Sequence, residues 1–133
     1  MPDLKTSIKL SLVGGPEWNI EHRQTIDAYD IVEVILDPGT TDRAVELQPA
    51  PAARINLFAI QSSLYGAEIT FKSSDGGSDS SAIALLGPQV YGNGGAALFT
   101  VVPRSIKLSN SHAAADLTKR ARVQILIGRD ATP

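Results

Sequence analysis

The chain has no cysteine among its 133 residues. That excludes disulfides, thiol chemistry and thiolate metal sites, and it fits a reducing compartment. Aromatic residues are scarce too: one Trp, three Tyr and three Phe. Sugar-binding sandwich modules usually display several aromatic platforms, so this poverty weighs against that class. Trp18 and Tyr91 are the two candidates for such a role, and Trp18 is expected to pack beneath the Gly14–Pro16 turn instead. The only histidines, His22 and His112, lie far apart in polar stretches, and neither stands at ligand spacing from another histidine or a carboxylate. Surface imidazoles are expected, and a zinc site is not supported. No apolar run approaches the length of a membrane-spanning helix. The start, MPDLKTSIKL, lacks a basic leader followed by an apolar core, so no secretory signal is expected.

Motifs that carry chemistry are missing as well. No serine sits in a G-x-S-x-G elbow, and no Ser–His–Asp arrangement suggests itself. Asp75-Gly76-Gly77-Ser78-Asp79 alternates oxygen ligands with glycine but lacks the downstream bidentate Glu of a calcium loop, so a hydrated loop is the expectation. Gly92-Asn93-Gly94-Gly95 precedes no helix whose N-terminus could hold phosphate, and it has the residues a strand–strand turn demands. Asp27 and Asp30 read as solvated charges rather than an acid–base pair. The one basic run, Lys119-Arg120-Ala121-Arg122, has no aromatic neighbour for base stacking, so its charges are expected to be solvated or paired with acids. The expectations are therefore no catalytic residues, cofactor or metal, and no nucleic-acid or membrane partner.

What the chain does have is length for one domain, residues 1–133, and 43% hydrophobic residues with which to build a core. The net charge of −2 is unevenly spread: residues 1–50 hold nine acids against four bases, and residues 51–133 hold five against eight. Either the halves pair within one fold, or they form complementary patches between neighbouring copies.

Alternation is the dominant pattern. Leu4–Val13 places Ile8, Leu10 and Leu12 on one face until Gly14-Gly15-Pro16 ends the run. Glu17–Thr25 is polar apart from Trp18 and Ile20 and reads as a loop or short edge strand. Tyr29–Leu36 is a strand, and Asp37-Pro38-Gly39-Thr40 is a turn in which Pro38 presets φ and Gly39 permits a positive one. Arg43–Gln48 is a short strand, followed by the stiff connector Pro49-Ala50-Pro51. Arg54–Lys72 reads as a central hairpin of two strands turning at Ser62–Gly66. Ser73–Ser81 is expected to be a mobile loop. Strands follow at Ala82–Leu86, Ala96–Val101, Ile106–Leu108 and Arg122–Gly128, with a helical turn at most over the alanines of Asn110–Asp116. Eight to ten short strands without a useful helix predict an all-β fold: a sandwich, a jelly roll or a small barrel. An antiparallel β-sandwich of jelly-roll type is the reading adopted.

Two of these strands are apolar on both faces. In Arg54–Gln61 the second face holds Phe58 and Ile60, and in Tyr29–Leu36 it holds Tyr29, Ile31 and Ile35. Each second face must be covered, either by a second layer of the same chain or by another subunit, and the neighbouring subunit is the reading that the interface expectation follows.

The strand Ile55–Gln61, the run GPQVYGNGGAALF at Gly87–Phe99, SIKLSN at Ser105–Asn110 and the ending VQILIGRDATP at Val123–Pro133 together resemble jelly-roll capsid decoration, or cement, proteins and related small structural proteins of tailed bacteriophages. The resemblance is one of overall style and supplies no functional residues. It implies a non-enzymatic shell protein, made in the host cytoplasm and carried on the capsid surface of the virion. Such a protein would self-associate as a dimer or trimer and grip the major capsid protein. A carbohydrate- or receptor-binding β-sandwich module of a phage tail is the alternative from another class. A cupin-like or barrel enzyme is a third, which the two isolated histidines disfavour.

Overall fold

The computed structural model describes residues 3–26, 28–46, 55–74, 77–91 and 105–129. The connector at Pro49–Pro51, the turn at Gly92–Gly95, the strand expected at Ala96–Val101, Asp27, and Asp75 with Gly76 lie outside the described residues. Ten strands are described: β1 (Asp3–Ser11), β2 (Glu17–Thr25), β3 (Ala28–Leu36), β4 (Thr40–Glu46), β5 (Ile55–Ser62), β6 (Gly66–Ser74), β7 (Ile83–Leu85), β8 (Gln89–Tyr91), β9 (Ser105–Asn110) and β10 (Ala121–Arg129). A single turn of 3₁₀ helix, Leu117–Lys119, leads into β10. The fold is all-β, as the alternation predicts, and its sheets are antiparallel and packed as a sandwich.

One sheet has the order β3-β10-β5-β8 and the other β4-β9-β6-β7. The pairing is nested. β3 pairs with β10, β4 with β9, β5 with β8 and β6 with β7, like the rungs of one long folded ribbon. β10 also pairs with β5, and β9 with β6, which closes each four-stranded sheet.

Between the sheets lies the core, and period-2 alternation explains which residues reach it. Val34 and Leu36 enter from β3, Phe58 and Ile60 from β5, and Val123, Ile125 and Ile127 from β10. Val45, Ile69, Phe71, Leu85, Ile106 and Leu108 meet them from the opposite sheet. The rings of Phe58 and Phe71 face each other across the layers at 6.0 Å, and Tyr91 stands 6.0 Å from Phe58 on the other side. Burying each large apolar side chain contributes about 1.5–3 kcal/mol.

Two expectations fail here. The first is the central hairpin: β5 and β6 do not pair but belong to opposite sheets. The Ser62–Gly66 segment arches between layers, and two hydrogen bonds tie it to β10: Ser63 N donates to Arg122 O at 3.0 Å, and Arg122 N to Ser63 Oγ at 2.8 Å. The second is the cover over Phe58 and Ile60. They are 1% and 2% exposed, enclosed by the chain's own second sheet, so no neighbouring subunit covers them. Tyr29, Ile31 and Ile35, by contrast, are exposed on the outer face of β3.

β1 and β2 stand apart. They pair in full antiparallel register from Asp3↔Thr25 to Ser11↔Glu17, making a hairpin of the segment expected to be a loop or an edge strand. Its tip closes through Gly15 N donating to Leu12 O at 2.9 Å, with Gly14 at φ +74. No residue of this hairpin is buried. Its base is anchored by Ile26, 2% exposed, which lies over Gly128 on the outer face of the first sheet beside Leu57. A Cβ on Gly128 would come within 3.2 Å of Ile26 Cδ1, so glycine allows this close seat.

The segment from Ser73 to Ser81 is also more ordered than expected where it is described. Ser73 and Ser74 are buried strand residues; Ser80 N donates to Ser73 O at 2.8 Å, and Ser73 N donates to Ser80 Oγ at 3.0 Å.

Candidate interaction surface

The two outer faces of the sandwich differ in chemistry. On β4-β9-β6-β7 the outward residues are Asp42, Thr70, Lys72, Lys107 and Ser109, and charges pair across strands: Lys72 with Asp42 at 3.2 Å and Lys107 with Asp79 at 2.8 Å. The Lys107 ammonium donates to the Asp79 carboxylate, holding that carboxyl below its usual range and raising the lysine above its own. This face is made for water.

The outer face of β3-β10-β5-β8 is largely apolar. Its registers align Ile31 with Leu126, Leu126 with Ala59, and Ala59 with Val90, so one apolar row crosses all four strands. Small Ala59 between larger neighbours leaves a groove of about 440 Å³, lined by Ile31, Leu126, Val90 and Pro88, with Gln61 and Gln124 along one side. Ile31 is 67% exposed at the open edge. The next row is polar and self-satisfied: Gln61 Nε2 donates to Gln124 Oε1 at 2.7 Å, and Gln124 Nε2 to Glu33 Oε2 at 3.0 Å. Of the five expected interface residues, Tyr29, Ile31 and Ile35 share this face. Phe58 and Ile60 sit inside the core and take no part.

The hairpin is two-faced in the same way. Its odd-numbered side is polar and laced by exposed ion pairs, Lys9–Glu17 at 2.9 Å, Lys5–Glu21 at 3.8 Å and Arg23–Asp3 at 3.9 Å. Its even-numbered side pairs Ile8 with Ile20 and Leu10 with Trp18. Trp18 is 65% exposed, not tucked beneath the turn, and Leu10 is 50% exposed. Tyr91 packs on Phe58 and donates from its hydroxyl to Gln89 Oε1 at 2.6 Å, so the two aromatics form no shared platform.

The residues set aside on chemical grounds are scattered. His22 lies on the exposed hairpin, and His112 Nε2 stands 3.8 Å from Glu68 Oε2. Asp79 is committed to Lys107. Among the described residues no group of three His, Cys, Asp or Glu side chains could hold a metal ion. No described helix is long and apolar enough to cross a membrane. The basic run pairs with acids: Arg120 with Asp37 at 2.6 Å and Arg122 with Glu33 at 3.3 Å. Together with Lys72–Asp42, these pairs join acids of the first half to bases of the second within one chain, the simpler of the two readings of the charge asymmetry.

The chain matches no protein-family model, no curated protein and no solved structure.

Proposed function

We propose that the protein is a non-enzymatic virion structural protein, a capsid decoration protein that self-associates and binds the major capsid lattice. One observation carries the assembly part: one outer sheet face carries a contiguous apolar row across all four strands, while the opposite face is charged and self-paired. A solvated antiparallel sheet shows polar residues outward, and a contiguous apolar row there marks a face meant to be covered. The viral part rests on the resemblance of Ile55–Gln61, Gly87–Phe99, Ser105–Asn110 and Val123–Pro133 to phage decoration proteins. The strand order supports it. Counting the eight described strands from β3, first pairs with eighth, second with seventh, third with sixth and fourth with fifth, a nesting in keeping with the jelly-roll reading.

The polar face of β4-β9-β6-β7 would then look to solvent from the virion surface, and the apolar face toward copies or capsid. The test is co-expression with the major capsid protein of the same phage, followed by sedimentation of the assembled shells. Stoichiometric incorporation that raises shell stability is the expected result. A protein that stays in the soluble fraction with intact shells would overturn the reading.

A further inference from the structure

We propose that the β1–β2 hairpin is an exchange arm. Its even-numbered face, led by Leu10 and Trp18, lies across the Ile31–Leu126–Ala59–Val90 row of a second copy, and that copy returns its own arm. This rests on the self-association proposed above and specifies the joint that makes it.

The arm needs a cover. A two-stranded hairpin is at best marginally stable alone in water, because it has no second layer to bury its apolar side. Here the ion pairs complete the odd-numbered side, while Leu10, Trp18 and Ile20 stay 50%, 65% and 39% exposed. The exposed Lys9–Glu17 and Lys5–Glu21 pairs stabilise by little on their own.

The groove on the chain's own face does not suit the arm's far end. The arm leaves from Ile26, seated over Gly128, and the apolar row begins two residues away at Leu126 on the same strand. That separation is about 7 Å. Trp18 lies eight residues from Ile26, about 26 Å along an extended strand. The far end therefore overshoots its own groove and reaches a neighbour's.

Area selects the arrangement. Nine-residue strands make an arm about 30 Å long and about 10 Å wide, so one face offers about 300 Å². A one-way joint buries about 600 Å² counting both surfaces, less than a stable specific interface needs. Reciprocal exchange doubles this to about 1,200 Å², the lower end of the standard range. Arm base and groove occupy the same outer face, so two copies facing each other about a two-fold axis can exchange both arms. A ring of one-way joints would leave each interface too small. The structure thus favours a closed dimer over the trimer.

The experiment uses a property of the sequence: the chain's one tryptophan is on the arm. Light scattering gives the mass of the wild type, Trp18→Asp and Ile31→Asp over a concentration series, and emission of Trp18 reports its burial in the wild type and in Ile31→Asp. Both substituted positions are exposed, and circular dichroism checks that each variant keeps its fold. The expected wild type is a dimer whose Trp18 emission is blue-shifted and moves to the red on dilution. Ile31→Asp should weaken association by roughly tenfold or more and leave Trp18 exposed at concentrations where the wild type buries it. An equimolar mixture of the two variants, in which one intact arm meets one intact groove, should associate more than either variant alone but far less than the wild type, because a single joint is too small for a stable dimer. A dimer whose Trp18 stays in water, or whose mass neither variant changes, overturns the exchange arm and leaves self-association standing. A monomer overturns both.

Discussion

Asn110 ends β9 as a fully buried amide, and three segments converge on it. Its Nδ2 donates to Leu36 O at 3.2 Å and to Lys119 O at 2.8 Å, and its Oδ1 accepts from His112 N at 3.2 Å. The end of β3, the end of β9 and the entry to β10 are thereby fixed at one point. Asn110→Ala removes a donor from the Leu36 and Lys119 carbonyls and the acceptor of His112 N–H, and the expected loss is about 2–3 kcal/mol in chemical denaturation. An unchanged midpoint would mean that water replaces the amide. Asp79 is a surface case with a definite sign. The Lys107 hydrogen bond holds its carboxyl below the ordinary 3.8. The folded chain therefore binds this proton less readily than the unfolded one, and the contribution is present above the ordinary value and lost as pH falls through the lowered one. Melting temperatures of wild type and Asp79→Asn should differ at neutral pH and converge as pH falls through the lowered value. A gap that stays constant into acid would show that the pair does not report through this proton.

At the scale of the element, Phe58 and Ile69 sit on strands of opposite sheets but in the same core, both essentially unexposed. Phe58→Ala and Ile69→Ala should each cost about 2–5 kcal/mol through lost burial and cavity formation. Neither loss should depend on protein concentration beyond the wild type's own dependence, since both side chains are enclosed by one chain. A Phe58→Ala loss that grows on dilution would return that residue to an interface. How legible the elements were from sequence follows from what each pattern encodes. β9 and β10 alternate cleanly, and their inward residues are those the alternation names, whereas β3 is apolar on both faces and turns Val34 and Leu36 inward. The Arg54–Lys72 segment shows the limit. A turn such as Ser62–Gly66 looks the same whether the chain folds back beside itself or crosses about 10 Å to another layer. What decides is the pairing of β5 with β10 and β8, and of β6 with β9, contacts distant in sequence that local alternation does not record. β2 was harder still. His22 and Gln24 take the even-numbered positions nearer its base, so its alternation fades after Ile20. Of the candidate surface, Tyr29, Ile31 and Ile35 were readable as a second apolar face. Leu126, Ala59 and Val90 join them only through strand register.

For the whole molecule, the division between sandwich and arm has a sharp consequence. Every described buried hydrophobic residue lies at or after Ile26, and residues 3–25 contribute none. The arm therefore adds no described buried hydrophobic residue to the core that folds the sandwich, and Ile26 is the buried residue at its base. Removing residues 1–25 while keeping Ile26 should leave a cooperatively folding β protein, destabilised by no more than about 1 kcal/mol, a few degrees in melting temperature. The truncated chain should also lose the dependence of melting temperature on concentration that association confers on the full chain. The two readouts separate two roles. A truncated chain that melts without cooperativity would make the hairpin part of the folding unit, and Ile26 with Leu57 would then be a second core rather than an anchor. A truncated chain that folds well but still melts at a concentration-dependent temperature would place self-association on the apolar sheet face alone, with the arm free for another partner.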